Sequence, residues 1–355
     1  MQNTEHFDTY YTTIGNMISR MQRYERLSGY RGDYRKGDFL VWQGEARETL
    51  RELLGLPVIE GEAEYGPFSP TVKETVYVGS IKRERVYITV DKDVVIPMFI
   101  LYPENPKGTW IALPGHNGAG KATVAGDESC LVVKDKIAHY DYAYGLEMAK
   151  RGYHTVCPDI RGFGERREEF MQGDEPEKYL KSSCAALSHV ATALGISLMG
   201  LLVFDVSRII DYLEEREDIP TENLGVIGFS GGGMQALYAS ALDTRIRKTI
   251  ISGYFYGFKD SLVVLNQNCA CNYAPGVFRH FDMCDLGGMI APRSLAIQSC
   301  LEDHLEGRRG LVNTMEQLEE TRKMYAIFGK KVYQDTPPGD HSFHSEGLDA
   351  LLSSL

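Results

Sequence analysis

The hydrophobic pattern divides the chain near residue 74. Apolar residues first recur at helical spacing, over residues 5–24 and 39–56. From Glu74 onwards apolar and polar residues alternate, which predicts antiparallel strands joined by short turns. These strands are Thr75–Gly79, Arg85–Val90 and Val94–Tyr102. We therefore predict an N-terminal helical extension over residues 1–73 and a second domain over residues 74–355.

After these strands, short apolar runs alternate with longer helical patterns. The runs lie at Thr109–Leu113, Tyr153–Asp159, Leu224–Phe229, Lys248–Ser252, Ser294–Ser299 and Lys331–Asp335. Helices are predicted between them, the longest over Leu187–Glu215 and the last after His344. Because parallel strands need crossover connections, usually helices, this alternation predicts an α/β architecture: a mainly parallel central sheet with helices on both faces.

The sequence Gly228-Phe-Ser-Gly-Gly232 follows directly from one of these strands and precedes a helical pattern. A nucleophile on a sharp strand-to-helix turn needs small residues two positions before and after it, because both crowd the backbone of the turn. Gly228 and Gly232 occupy those positions. Ser230 is therefore the predicted nucleophile, and the amide of Gly231 is predicted to point at the site of reaction. A turn that only caps the helix is the alternative.

A serine hydroxyl needs a base to remove its proton, and the base needs an acid to orient it. After a nucleophile on such a turn, the acid and then the histidine follow along the chain. His341 lies on the Gly-containing loop after the last predicted strand and is the predicted base, with His344 as the other histidine there. Asp303 follows the preceding strand and is the predicted acid. Glu302 is the second candidate and Glu306 the third.

The loop after Thr109–Leu113 has two interpretations. Its sequence Gly115-His-Asn-Gly-Ala-Gly120-Lys121 matches the start of a phosphate-binding loop, but Ala122 stands where that loop needs Ser or Thr to hold magnesium. The residues up to about Ala138 are predicted to be loop, so no helix N-terminus would meet the phosphate. We favour the second interpretation, in which the amide of His116 forms an oxyanion hole with that of Gly231.

Charge and cysteine content exclude several classes of protein. The 355 residues contain 38 Lys and Arg against 49 Asp and Glu, a net charge of −11, which argues against nucleic-acid and membrane partners. The first residues lack the basic and apolar regions of a signal peptide. The seven cysteines include Cys269 and Cys271, whose C-x-C spacing is not that of a structural zinc site. We therefore predict reduced, inert thiols, no metal and a cytoplasmic location.

Together these residues resemble the α/β-hydrolase superfamily, specifically its dienelactone-hydrolase-like and carbohydrate acetyl-esterase branch. The resemblance covers about Glu74 to Leu355. The resemblance rests on the motifs Leu113-Pro-Gly-His-Asn-Gly118, Pro158-Asp-Ile-Arg161-Gly-Phe-Gly164, Gly228-Phe-Ser-Gly-Gly232, Ala291-Pro-Arg293, Glu302-Asp303 and His341-Ser-Phe343. Two positions depart from the family pattern. Pro114-Gly115 stands where the family often has His-Gly, and His304 stands where it often has Pro.

The resemblance implies a serine esterase that cleaves short acyl esters, such as acetyl esters of carbohydrates, through an acyl-enzyme. It implies Ser230 as nucleophile, Asp303 as acid, His341 as base, the amides of Gly231 and His116 as oxyanion hole, and no cofactor. Arg161 would brace loops beside the site. A serine peptidase or amidase on the same fold is the nearest alternative, and a nucleotide-binding protein a more distant one. The expected partner is a small ester, and the N-terminal helices could cover the site or join subunits into a homo-oligomer.

Overall fold

The computed structural model of the protein describes residues 13–21, 26–116, 119–173 and 175–355. Parts of the helix predicted over residues 5–24 lie outside these ranges. So do Asn117 and Gly118, which belong to the loop considered for phosphate or oxyanion binding.

All nine predicted strands are present, and they form one sheet. They are β1 (Thr71–Val78), β2 (Ile81–Asp91), β3 (Val94–Tyr102), β4 (Thr109–Leu113), β5 (His154–Pro158), β6 (Gly225–Phe229), β7 (Lys248–Ser252), β8 (Ser294–Gln298) and β9 (Tyr333–Asp335). Their order is β1-β2-β3-β5-β4-β6-β7-β8-β9. The pairs from β1 to β5 are antiparallel, and the pairs from β5 to β9 are parallel. The prediction of a mainly parallel sheet is confirmed.

Helices precede, connect and follow the strands. They are α1 (Ile14–Met21), α2 (Lys36–Leu54), α3 (Leu56–Glu62), α4 (Lys121–Val124), α5 (Leu131–Tyr140), α6 (Tyr144–Lys150), α7 (Pro176–Tyr179), α8 (Cys184–Ala193), α9 (Leu198–Glu214), α10 (Gly231–Leu242), α11 (Val277–His280), α12 (Met283–Ile290), α13 (Leu311–Ala326) and α14 (Leu348–Ser353). The central strands β4 and β6 are buried at every position, as expected of parallel strands covered on both faces.

The single long helix predicted over Leu187–Glu215 is wrong, because the chain bends by 102° between α8 and α9. Gly195 adopts a φ of 78°, and the Ser197 side chain then caps α9 by accepting a hydrogen bond from the Gly200 amide at 3.0 Å. No single helix in the described ranges is long and apolar enough to cross a bilayer, and only α8 and α9 taken together would reach that length and composition.

The described part of the N-terminal extension packs on the same core as the sheet. Phe39, Leu50 and Leu54 of α2 are fully buried in that core. The Gln43 side chain donates a hydrogen bond to the Ala291 carbonyl at 2.6 Å, which ties α2 to the end of α12. The extension and the sheet therefore share one hydrophobic core.

Candidate active site

Ser230 lies at the strained turn between β6 and α10, with φ 56° and ψ −121°. A non-glycine residue rarely adopts this conformation, so the surrounding backbone must hold it there. A Cβ atom at Gly228 would lie 2.1 Å from the Gly232 carbonyl oxygen, and one at Gly232 would lie 1.9 Å from the Leu113 carbonyl oxygen. Glycine is required at both positions because no side chain fits, which is the physical reason for the Gly-x-Ser-x-Gly sequence.

The two residues predicted to form the oxyanion hole lie beside this turn. Gly231 is the first residue of α10, where the amide has no acceptor within the helix. A Cβ atom at Gly231 would lie 2.4 Å from His116 Cδ2, so the His116 ring packs directly over the Gly231 backbone. The same ring stacks on Phe163, with centroids 4.8 Å apart. Gly231, His116 and Ser230 all line one cavity.

His341 and Asp303 form a buried pair. The imidazole Nδ1 lies 2.8 Å from Asp303 Oδ2, and the two side chains are 2% and 1% exposed. His341 Nε2 is buried and has no hydrogen-bond partner among the described residues. The ring lies 4.7 Å, between centroids, from the ring of Phe229, which directly precedes Ser230. With Nδ1 held by the carboxylate, Nε2 is the ring nitrogen that remains free to accept a proton.

Backbone hydrogen bonds join the loop that carries the acid to the loop that carries the base. They continue the pairing of β8 with β9 beyond the ends of both strands. The donors and acceptors are Ser299 to Asp335 at 3.1 Å, Leu301 to Pro337 at 2.9 Å and Glu302 to Gly339 at 3.0 Å. The sheet itself therefore sets the separation between Asp303 and His341.

The other candidates, Glu302, Glu306 and His344, take no part in the contact between Asp303 and His341. Glu302 is exposed to solvent. His344 has its ring against Ser342 Oγ, with Nε2 at 3.1 Å. Glu306 is 1% exposed, and its Oε1 accepts a hydrogen bond from Thr314 Oγ1 at 2.9 Å. Burial, assisted by the nearby charge of Asp303, raises the pKa of Glu306 to about 8. Glu306 is therefore a neutral acid at pH 7, unlike a triad carboxylate.

His304, where the family often has Pro, joins the two loops from outside. Its Nδ1 lies 2.7 Å from Asp340 Oδ1, which also accepts a hydrogen bond from the His341 amide at 2.7 Å. Burial acts to raise the pKa of Asp340, but the hydrogen bonds from His304 and His341 prevail and lower it to about 2. Sequence reasoning missed this contact because Asp340 and His304 are 36 residues apart.

The cavity at the site has a volume of about 390 Å³ and is lined by both Ser230 and His341. Its other lining side chains are a mixture of aromatic and polar groups. They include Tyr140, Phe163, Tyr254, Ser182, Gln267, Asn268 and Asn272. Several come from the irregular segment after β7, which has no periodicity from which their positions could be predicted. Aromatic surfaces beside amide and hydroxyl groups suit a ligand with many hydroxyl groups.

Of the two grounds that the sequence offered against phosphate binding, the lack of Ser or Thr at position 122 stands, but the lack of a helix after the loop does not. The predicted loop up to Ala138 is wrong, because α4 begins at Lys121, immediately after Gly120. However, the Lys121 ammonium is buried between two carboxylates, with Nζ 2.5 Å from Asp159 Oδ2 and 2.5 Å from Glu165 Oε1. A lysine held in this way is not available to a phosphate.

Arg161 braces the loops beside the site, as predicted. Its guanidinium binds both carboxylate oxygens of Asp205 on α9, at 2.9 and 2.8 Å. Arg166 donates to the same carboxylate at 2.7 Å. The loop after β5 is thereby fixed to α9 through charged, buried hydrogen bonds.

The comparison with known families agrees with this architecture. The sequence profile of the abhydrolase family matches residues 2–338. The chain belongs to the abhydrolase family. The α/β-hydrolase fold expected from the resemblance is confirmed, and the match also covers most of the N-terminal extension.

Relatives of this abhydrolase are distant in sequence. YtaP of Bacillus subtilis (strain 168), provisionally described as a hydrolase, is 25% identical over 178 residues, which cover 50% of this chain and 55% of YtaP. The match thus spans only about half the length of that curated relative.

Solved structures are more similar in fold than in sequence. A Bacteroides fragilis protein, provisionally described as an acetyl xylan esterase, has a TM-score of 0.73 at 18% identity, over 94% of this abhydrolase and 84% of that chain. The methylesterase BT1017 has a TM-score of 0.65 at 16% identity, over 96% and 68% of the two chains. A glucuronoyl esterase from Solibacter usitatus has a TM-score of 0.59 at 16% identity, over 86% and 91%.

Proposed function

We propose that this protein is a serine esterase in which Ser230, His341 and Asp303 form the catalytic triad. The observation that carries the proposal is the position of His341. Its Nδ1 is held by Asp303 at 2.8 Å, its Nε2 has no hydrogen-bond partner among the described residues, and His341 lines the same cavity as Ser230. Serine esterases need this combination of a strained nucleophile, an oriented imidazole and a buried carboxylate.

In the proposed mechanism, His341 Nε2 removes the proton of Ser230 as its hydroxyl attacks the ester carbonyl. The amides of Gly231 and His116 donate hydrogen bonds to the developing oxyanion, a contribution of about 3–4 kcal/mol for each donor. The C–O bond of the ester then breaks, and His341 protonates the leaving alcohol. Water attacks the acyl-enzyme by the same route and releases the acid together with free Ser230.

We propose short acyl esters of carbohydrates as the substrate class. The amide and hydroxyl groups of Ser182, Gln267, Asn268 and Asn272 lie in the cavity together with Tyr254, a combination that suits a sugar ring and its hydroxyl groups. The cavity volume of about 390 Å³ leaves little room for a long acyl chain beside a sugar. The carbohydrate-esterase descriptions of the similar structures support the same class.

The experiment compares acetyl, butyryl and octanoyl p-nitrophenyl esters, acetylated xylo-oligosaccharides and a matched anilide amide. We expect the acetyl substrates to be preferred and Ser230→Ala to lower kcat by roughly 10⁴-fold or more. A fluorophosphonate probe should label the native protein and spare Ser230→Ala.

Ser353→Ala is the matched control, because Ser353 is exposed on α14 and should remain fully active. Turnover by Ser230→Ala at the native rate would overturn the assignment of the nucleophile. Faster cleavage of the anilide than of the acetyl ester would instead identify an amidase.

A further inference from the structure

Three thiols and one imidazole lie close together beside the cavity that Ser230 lines, and His116 and Cys269 form part of its wall. His116, Cys269 and Cys271 place their ligand atoms within 4.8 Å of one another. Cys271 Sγ lies 3.8 Å from His116 Nε2, and Cys269 Sγ lies 2.8 Å from the sulfur of Cys184. The four residues come from the loop after β4, the start of α8 and the irregular segment after β7. Nearness along the chain explains only the pairing of Cys269 with Cys271, because His116 is 155 residues from Cys271.

We infer that His116, Cys269 and Cys271 bind one zinc ion on the wall of the cavity that holds Ser230. Ligands at tetrahedral zinc, with Zn–S near 2.3 Å and Zn–N near 2.0 Å, lie about 3.5–3.8 Å apart, close to the separation of Cys271 and His116. Two thiolates and an imidazole form a soft ligand set that favours zinc over magnesium or calcium. The expectation of no metal, which was based on the C-x-C spacing, is therefore revised.

Cys184 supports the site as a neighbour of one ligand. It is 1% exposed and lies at the first position of α8, where the helix favours negative charge on or beside its thiol. Its sulfur lies 2.8 Å from that of Cys269, so the two thiols share one hydrogen bond.

The three protein ligands leave one coordination position of the zinc open, on the side of the cavity. His116 and Cys269 line that cavity, whereas Cys271 is 3% exposed and lies behind them. Three protein ligands leave a fourth position of zinc for water or for an oxygen atom of a bound molecule. Binding displaces the protons of the two thiols, so zinc uptake releases up to two protons. It also fixes the loop whose His116 amide is the proposed oxyanion donor.

The test measures metal content in the 355-residue protein, purified under reducing conditions without chelator. We expect about one zinc per chain in the native protein, in Ser230→Ala and in Cys130→Ser, whose thiol lies outside the cluster. Cys269→Ser combined with Cys271→Ser should lose at least nine-tenths of the metal. Cys184→Ala should keep the ligands but weaken zinc binding 10- to 100-fold in competition with a chromogenic chelator.

Replacement of zinc by Co²⁺ reports the ligands directly, because thiolate ligation gives an intense near-ultraviolet charge-transfer band. This measurement on the native protein decides the question even if the cysteine variants fail to fold. The inference is overturned if the reduced native protein binds neither Zn²⁺ nor Co²⁺ at one equivalent. It is also overturned if the double variant keeps its zinc, or if intact mass shows that Cys184 and Cys269 form a disulfide. Metal content does not depend on Ser230. A failure of the zinc inference can therefore be distinguished from a failure of the proposed esterase activity.

Discussion

At the scale of the residue, Asp303 has a carboxylate with very little contact with water. Its side chain is 1% exposed, one oxygen faces His341 Nδ1 at 2.8 Å, and the other accepts a hydrogen bond from the Leu305 amide at 2.9 Å. Both oxygens are therefore occupied, and the carboxylate is held in a fixed orientation. It can stabilise an imidazolium when His341 takes up a proton.

Asp303→Asn should lower kcat by about 10⁴-fold and change KM little. The amide removes the negative charge and can donate to Nδ1, which favours the tautomer that carries its proton on Nε2. The measurement is steady-state hydrolysis of p-nitrophenyl acetate. Glu302→Gln, one residue away and exposed, is the matched control and should retain native rates. A loss of less than tenfold in Asp303→Asn would reject Asp303 as the acid.

Glu306 makes the stability of the protein depend on pH. With a pKa raised to about 8 from the usual 4.5, folded Glu306 keeps a proton that the unfolded chain has already lost. The contribution of protonated Glu306 to the stability of the fold is fully present below pH 4.5 and is lost as pH rises through about 8. Between pH 4.5 and about 8, the titration of Glu306 lowers the free energy of unfolding by up to about 1.4 kcal/mol per pH unit.

Glu306→Gln removes this titration. The stability difference between the variant and the native protein, obtained by urea unfolding at pH 5, 6, 7 and 8, should shift steadily in favour of the variant as pH rises. The slope is the test, because any constant packing cost of the amide cancels from it. A difference that stays constant with pH would show that Glu306 titrates normally.

At the scale of the element, the turn at Ser230 tolerates no additional atoms. Gly232→Ala would place a methyl group 1.9 Å from the Leu113 carbonyl oxygen, so β4 and α10 must move apart. We expect a loss of several kcal/mol of stability, or no folded protein, by thermal unfolding. The matched control is Gly44→Ala in the exposed middle of α2, where a Cβ atom meets nothing within 4 Å. It should stabilise the protein by about 0.5–1 kcal/mol. Equal effects of the two changes would refute the steric account.

The sequence predicts elements well where one pattern dominates. The strands β1 to β3 were predicted from alternating apolar and polar residues, and the later strands from short apolar runs bounded by turn residues. The helix over Leu187–Glu215 failed because apolar residues continue across the break. Only Gly195 and Ser197 mark the 102° bend, and each residue is tolerated inside helices. The early start of α4 at Lys121 was missed because four residues give no helical period.

At the scale of the whole molecule, the N-terminal helices and the sheet should unfold together. Phe39 on α2 is fully buried, so Phe39→Ala should cost about 3–5 kcal/mol in one cooperative urea transition. Leu40→Ala, the next residue on the same helix and 46% exposed, should change stability by less than about 0.5 kcal/mol. Two separate transitions in Phe39→Ala would instead show that residues before Thr71 form an independent unit.

The candidate site was predictable in part. Chain order and position relative to strands indicated Ser230, Asp303 and His341, because a parallel sheet brings the ends of its strands to one edge. The cysteine and histidine cluster was not predictable, since it depends on how the loop after β4, α8 and the irregular segment after β7 pack together. The spacing of residues along the chain does not indicate which distant segments will pack together.

The backbone hydrogen bonds between the acid and base loops have a consequence for protein engineering. Because main-chain atoms fix the spacing of residues 303 and 341, neighbouring side chains that face solvent, such as Leu301 and Glu302, are free to vary. A library randomised at these two positions can change the surface next to the acid loop while the reacting groups keep their alignment.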